Sequence, residues 1–158
     1  MSKRLWRIIL VIITVLFVAF LLEILLDSLR PVVSPEEFTS RMEEAGYIVK
    51  ERPHPFEQVE VYLVADCGTF YVEFMVHKTM ADARLTFSQL RSDLEQLEQL
   101  WDIVVHNWSS SGFNSWYGQF TSDGQYARMI RIRNTIIFVN TIEENAAHVA
   151  GIMEMLEQ

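Results

Sequence analysis

The sequence predicts an α+β fold: an N-terminal transmembrane helix, then one domain with a mostly antiparallel sheet of about five to six strands packed by about three helices. Three observations carry this. A fifteen-residue uncharged run, Ile8–Leu22, lies near the N-terminus. Further on, stretches with apolar residues at every second position are joined by short turn signals. Between and after them lie stretches whose apolar residues recur every three or four positions, the helical period.

The first run is apolar throughout except for Thr14, and after Glu23 it continues through Ile24–Leu26. As a helix, residues 8–26 measure roughly 28 Å, about the thickness of a bilayer's hydrocarbon core. A cleaved signal peptide needs small residues just past a shorter apolar stretch, whereas "LLEILLDSL" offers bulky leucines. A lipoprotein signal needs a cysteine there, and the one cysteine is Cys67. The expectation is an uncleaved signal-anchor within residues 1–30, with Glu23 at the outer interface. Lys3, Arg4 and Arg7 precede the run, and only Arg30 follows it closely. Basic flanks stay inside, so the N-terminus is expected in the cytoplasm and the C-terminal domain outside, in a single-pass cell membrane protein.

Residues 31–57 read as a linker and the first helix of the domain, and 58–158 as the rest of it. In "SPEEF", Ser34 suits the cap, Pro35 the first helical position, and Glu37 completes a capping box. Phe38, Met42 and Ala45 share a face, and Gly46 ends the helix. Pro53 and Pro55 then interrupt the chain ahead of the expected first strand.

"QVEVYLVADCGTFYVEFMVH" reads as a hairpin turning at Cys67-Gly68. With Asp66 opposite Thr69, Ala65 faces Phe70, Leu63 faces Val72, Val61 faces Phe74 and Val59 faces Val76, all on one side of the sheet. In "TMADARLTFSQLRSDLEQLEQLW", Thr79 and Asp82 cap a long helix striped by Ala83, Phe87, Leu90, Leu94, Leu97 and Trp101. The stripe is too short for a coiled-coil seam and is expected on the domain's own sheet.

"DIVVHNW" reads as an edge strand, followed by the loop "SSSGF" and a three-strand meander. Asp123-Gly124 is a strong hairpin turn, and Asn134-Thr135 is taken as the next. Thr141 and Glu144 form a further capping box, opening a helix striped by Ile142, Ala146, Val149, Met153 and Leu156.

Charge narrows the function. Past residue 30, four basic and two acidic side chains are left behind; nine Lys/Arg remain against nineteen Asp/Glu, a formal charge of −10. Such a surface repels nucleic acid, which is not an expected partner. A lone cysteine forms no internal disulfide, and Asp66 beside it should raise its pKa. His54, His77, His106 and His148 have no metal-ligand spacing, no phosphate loop or nucleophile elbow is present, and no cofactor or catalytic residue is expected.

What remains is aromatic and basic. Trp101, Trp108, Phe113, Trp116, Tyr117 and Phe120 cluster in and around the "SSSGF" loop. The two turns place Trp116 opposite Arg131 and Arg131 opposite Phe138, with Arg133 along the same face, while Tyr117, Ile130, Ile132, Ile137 and Val139 face the core. The candidate binding residues are therefore Trp108, Phe113, Trp116, Arg131, Arg133 and Phe138, unless one of the helices covers the row. Basic and stacking groups on an acidic domain suit an anionic or carboxylate-bearing partner. The expected function is a non-enzymatic extracytoplasmic interaction module, anchored through residues 8–26, serving a protein partner in the cell envelope. The alternative is a domain that binds a small ligand or cell-wall fragment. No feature of the sequence fixes an oligomeric state.

Overall fold

The computed structural model describes residues 3–28, 32–54, 56–98, 104–110, 114–122 and 124–157. Helix α1 spans Lys3–Ser28. Its side chains from Ile8 to Leu22 are exposed at every position, from 36% at Ile9 to 64% at Leu16, so no face of this stretch is turned into a core. Among the described residues, no helix is long and apolar enough to cross a membrane.

Helix α2 (Pro35–Glu44) starts as its sequence predicts: the Glu37 N–H donates to Ser34 Oγ at 3.1 Å, with Pro35 in the first turn. Its own backbone N–H and the Ser34 hydroxyl hold the Glu36 carboxyl below the usual range. Phe38 and Met42 are fully buried, and Gly46 takes φ +88° just past the end. Ala45, the residue that closes the helix, is exposed and not part of the buried face expected for it.

Seven strands follow: β1 (Ile48–Glu51), β2 (Val59–Asp66), β3 (Tyr71–His77), β4 (Val104–Ser110), β5 (Ser115–Ser122), β6 (Gln125–Ile132) and β7 (Thr135–Ile142). Helix α3 (Met80–Glu98) separates β3 from β4, and a 3₁₀ turn at Glu143–Asn145 leads into α4 (Ala146–Glu157). The strands form one sheet in the order β1-β2-β3-β7-β6-β5-β4, every neighbouring pair antiparallel. The fold is thus α+β with a mixed sequence order: α3 carries the chain to the far edge, and the meander walks back until β7 meets β3.

Strand β1 exceeds the expected strand count. Only Val49 of its four residues is even half-buried, so it shows no alternation to read. Its place in the sheet comes from pairing Val49 with Ala65 and Glu51 with Leu63.

Two hairpins keep their predicted faces but not their predicted partners. The β2–β3 turn centres on Gly68-Thr69, with Gly68 at φ +85° and the Cys67 N–H donating to Phe70 O. Asp66 Oδ1 accepts the Gly68 N–H at 2.9 Å, which fixes the turn one residue further along than expected. Ala65 therefore faces Val72, Leu63 faces Phe74 and Val61 faces Val76. The β6–β7 turn centres on Arg133-Asn134, with Arg133 at φ +54°, so Arg131 faces Ile136 and Phe138 faces Met129. A turn displaced by one residue moves the pairing by two, which preserves the side of the sheet. Val59 is the exception. A register shift between Val59 and Val61 turns it to the opposite side, where it packs with Met75.

The sheet is covered on both sides, making two cores. On the first, Phe38 and Met42 of α2 and Val149, Ile152, Met153 and Leu156 of α4 meet Leu63, Phe74, Ile130, Ile137 and Val139. Arg41 Nη1 donates to Met155 O at 2.8 Å and links the two helices. The predicted cap at Thr141 does not form there: Thr141 still lies within β7, which runs to Ile142, and its Oγ1 accepts from Asn145 Nδ2 instead. On the second side, Ala83, Phe87 and Leu94 of α3 lie over Met75, Met129, Ile136 and Phe138. The Asp82 N–H donates to Thr79 Oγ1 at 3.1 Å, capping α3 as read from the sequence. Leu97 has its side chain, and Trp101 its whole residue, outside the described set.

His77 is fully buried between α3 and the sheet. Its Nδ1 contacts the Asn134 carbonyl at 3.3 Å and its Nε2 contacts Thr86 Oγ1 at 2.9 Å. A carbonyl only accepts, so the neutral ring carries its proton on Nδ1 and takes the Thr86 hydroxyl at Nε2. Burial holds its pKa below the ordinary value, against the Asn134 bond and the Asp82 charge.

Two outcomes follow from this packing. Phe74 is fully buried and stacked on Phe38 with ring centroids 4.7 Å apart. Phe74→Ala should lower stability in urea unfolding by about 3–5 kcal/mol. For His77, the unfolded chain takes up a proton before the folded one does. Its contribution is complete above about pH 6.5 and is lost as pH falls toward the folded value. The melting temperature of the wild type should therefore drop more steeply than that of His77→Gln between about pH 7.5 and pH 5.5. Parallel pH profiles would remove His77 from the acid sensitivity.

Candidate functional site

The described cavity of most interest lies where α3 crosses the second side of the sheet. It holds about 360 Å³ and is lined by Arg84, Phe87, Ser88 and Arg91 of α3, Trp116 of β5 and Arg131 of β6. Positions 84, 88 and 91 recur at four and three, so they lie on one flank of α3, beside the buried Ala83–Phe87–Leu94 stripe. The strand register sets the other wall: Trp116 pairs with Arg131 across β5 and β6.

Arg131 is the unusual member, with 2% of its surface exposed. Its guanidinium carbon lies 5.9 Å from the Phe87 ring centroid, and Nη1 donates to the Arg133 carbonyl at 3.3 Å. The Phe87 and Trp116 rings are 6.4 Å apart, tilted by 56°. The cation thus sits in an aromatic corner, where a planar delocalised charge is tolerated better than a compact ammonium. Arg84 Nη2 donates to Asn114 Oδ1 at 3.4 Å, and Arg91 Nε to Glu95 Oε1 at 2.5 Å. Three guanidiniums from two elements therefore border one space.

Of the six residues singled out by sequence, the structure pairs Trp116 with Arg131 as expected, but α3 covers the row, and Arg131 is buried beneath Phe87 rather than open on a sheet face. Phe138 is not in their row: it is 9% exposed, under α3, paired with Met129 and Glu73. Arg133 occupies the β6–β7 turn, where its N–H donates to Asn114 O at 2.8 Å. Trp108 lies on β4 opposite Gly118, with its side chain outside the described set. Phe113 lies outside the described residues. The α3 residues Arg84, Ser88 and Arg91 escaped the sequence reading, although their helical spacing was there to be read.

Elsewhere among the described residues, Tyr62 and Glu73 pair within the fold. The Tyr62 hydroxyl donates to Glu73 Oε2 at 2.7 Å. Burial raises the Glu73 pKa against the effect of that bond, and burial followed by the Glu73 contact raises that of Tyr62. The Cys67 thiol is pushed up to about 11, first by burial and then by Asp66, which leaves it a poor nucleophile at neutral pH. Among the described residues, no group of three His, Cys, Asp or Glu side chains is placed to hold a metal ion. No family model, curated protein or solved structure matches this chain.

The buried Arg131 makes a measurable difference. Arg131→Ala removes both the stack on Phe87 and the filling of its site, and should cost about 2 kcal/mol, lowering the melting temperature by several degrees. Arg131→Lys should recover only part of this, since an ammonium cannot stack as a plane. An unchanged melting temperature in Arg131→Ala would mean that the side chain is not packed as described.

Proposed function

We propose that the protein is a single-pass, membrane-anchored interaction module whose domain works outside the cytoplasm, as an accessory subunit serving a protein partner in the envelope. The observation that carries the tether is the exposure of every side chain from Ile8 to Leu22 on a helix. A water-facing helix normally hides one apolar stripe. Fully burying one large apolar side chain is worth about 1.5–3 kcal/mol, so a run of them calls for surroundings as apolar as lipid. The sequence extends that run to Leu26, and the Lys3, Arg4 and Arg7 flank supports the orientation. A second reading is supported by the cleft between α3 and β5–β6: the domain receives a small ligand there, and the partner responds to it.

In cells expressing the full chain, the protein should remain in the membrane fraction after alkaline carbonate washing, with its N-terminus intact by mass spectrometry. Protease added outside protoplasts should digest the domain. A chain starting at residue 31 should leave the membrane fraction. A mature N-terminus near residue 27, or a domain protected from external protease, would overturn the topology.

A further inference from the structure

We infer that the cleft bordered by Arg84, Arg91, Arg131, Phe87 and Trp116 binds a small organic anion, a carboxylate or phosphate joined to a flat apolar body. The inference rests on the ligand-binding reading and names its ligand class. Three of the nine Lys/Arg side chains beyond residue 30 border this one space, in a domain with nineteen acidic residues. Arg91 shares its charge with Glu95, but the three guanidiniums still concentrate N–H donors around one space on an otherwise acidic domain, which favours an anion there. Arginine is the fitting cation, because its planar fork of N–H groups matches carboxylate and phosphate oxygens.

The geometry supplies both halves of the ligand. Arg84 and Arg91 lie seven residues apart on α3, about 10.5 Å along its axis, so together they can span an oxyanion and the group attached to it. Arg131 lies in the wall with 2% of its surface exposed and bonds to the Arg133 carbonyl, so it contributes to the field of the cleft while Arg84 and Arg91 supply the donors a ligand can reach. Trp116, half-buried, provides an apolar face beside them, backed by the buried Phe87 ring 6.4 Å away. Ser88 adds a hydroxyl on the α3 side. A volume of about 360 Å³ suits one small molecule, since such sites run from about 300 to 1,000 Å³. Each arginine also has a partner within the fold: Arg84 donates to Asn114, Arg91 to the Glu95 carboxylate, with which an anion must compete, and Arg131 to the Arg133 carbonyl.

Titration calorimetry on the full chain in detergent micelles tests the inference, with benzoate, phenyl phosphate and neutral benzyl alcohol as probes. At least one of the two anions should bind saturably with a Kd below about 1 mM, and more weakly as salt is raised. The tighter of the two identifies the oxyanion. Benzyl alcohol should bind at least about tenfold more weakly. The double variant Arg84→Ser with Arg91→Ser leaves the buried Arg131 in place; it should lose at least about tenfold in anion affinity with its melting transition kept. Equal binding of benzyl alcohol and the anions would overturn the inference while leaving a ligand cleft. Unchanged anion binding in a folded double variant would place the anion elsewhere and overturn it too. Absence of saturable binding by all three probes would remove the ligand-binding reading as well.

Discussion

The backbone hydrogen bonds between β3 and β7 join everything before α3 to everything after it. Five residue pairs make this seam, from Val72 opposite Val139 to Val76 opposite Thr135. Both sides of it are buried: Phe74 and Ile137 face α2 and α4, while Met75 and Ile136 face α3. Its partners lie 59 to 67 residues apart in sequence, so the loop entropy between them must be lost before the seam offers anything in return. Local hairpins can form early, but neither core is complete until β7 has come back beside β3.

This seam explains why each helix matters where it does. Helix α3 is the connection that sends the chain out to β4, and it also lies over the seam it makes necessary. His77, bonded to Thr86 on α3 and to Asn134 in the β6–β7 turn, stands where helix, central strand and turn converge. The Asn134 side chain returns the contact, donating from Nδ2 to His77 O at 2.8 Å. The arginine-lined cleft follows from the same arrangement, since α3 leans over β6 and leaves β5 to form the opposite wall.

Much of this was legible in the sequence, and the misreadings share a cause. Side-chain alternation has a period of two, so it fixes which face a residue takes. It does not fix which residue stands opposite. That choice is made by the turn, and at Cys67–Phe70 and Ile132–Thr135 the turn lies one residue from where composition placed it. Gly68 and Arg133 take positive φ there, a backbone choice that a residue such as Arg does not announce. Strand β1 was invisible because an edge strand with one inward side chain has no pattern. The site was half-legible: the Asp123-Gly124 turn yields the Trp116–Arg131 pair directly. Arg84, Ser88 and Arg91 were hidden because a polar helix flank looks the same whether it faces water or borders a cleft.

Helix α1 ends at Ser28 and α2 begins at Pro35. However the intervening residues are arranged, so short a leash cannot exceed about 25 Å. On the proposed tether, a membrane that holds α1 would also hold the domain close and confine its encounters to a thin layer above that surface. Within such a layer a neighbour anchored in the same surface is met at high effective concentration. A contact too weak to persist between free molecules in bulk solution can then be occupied much of the time.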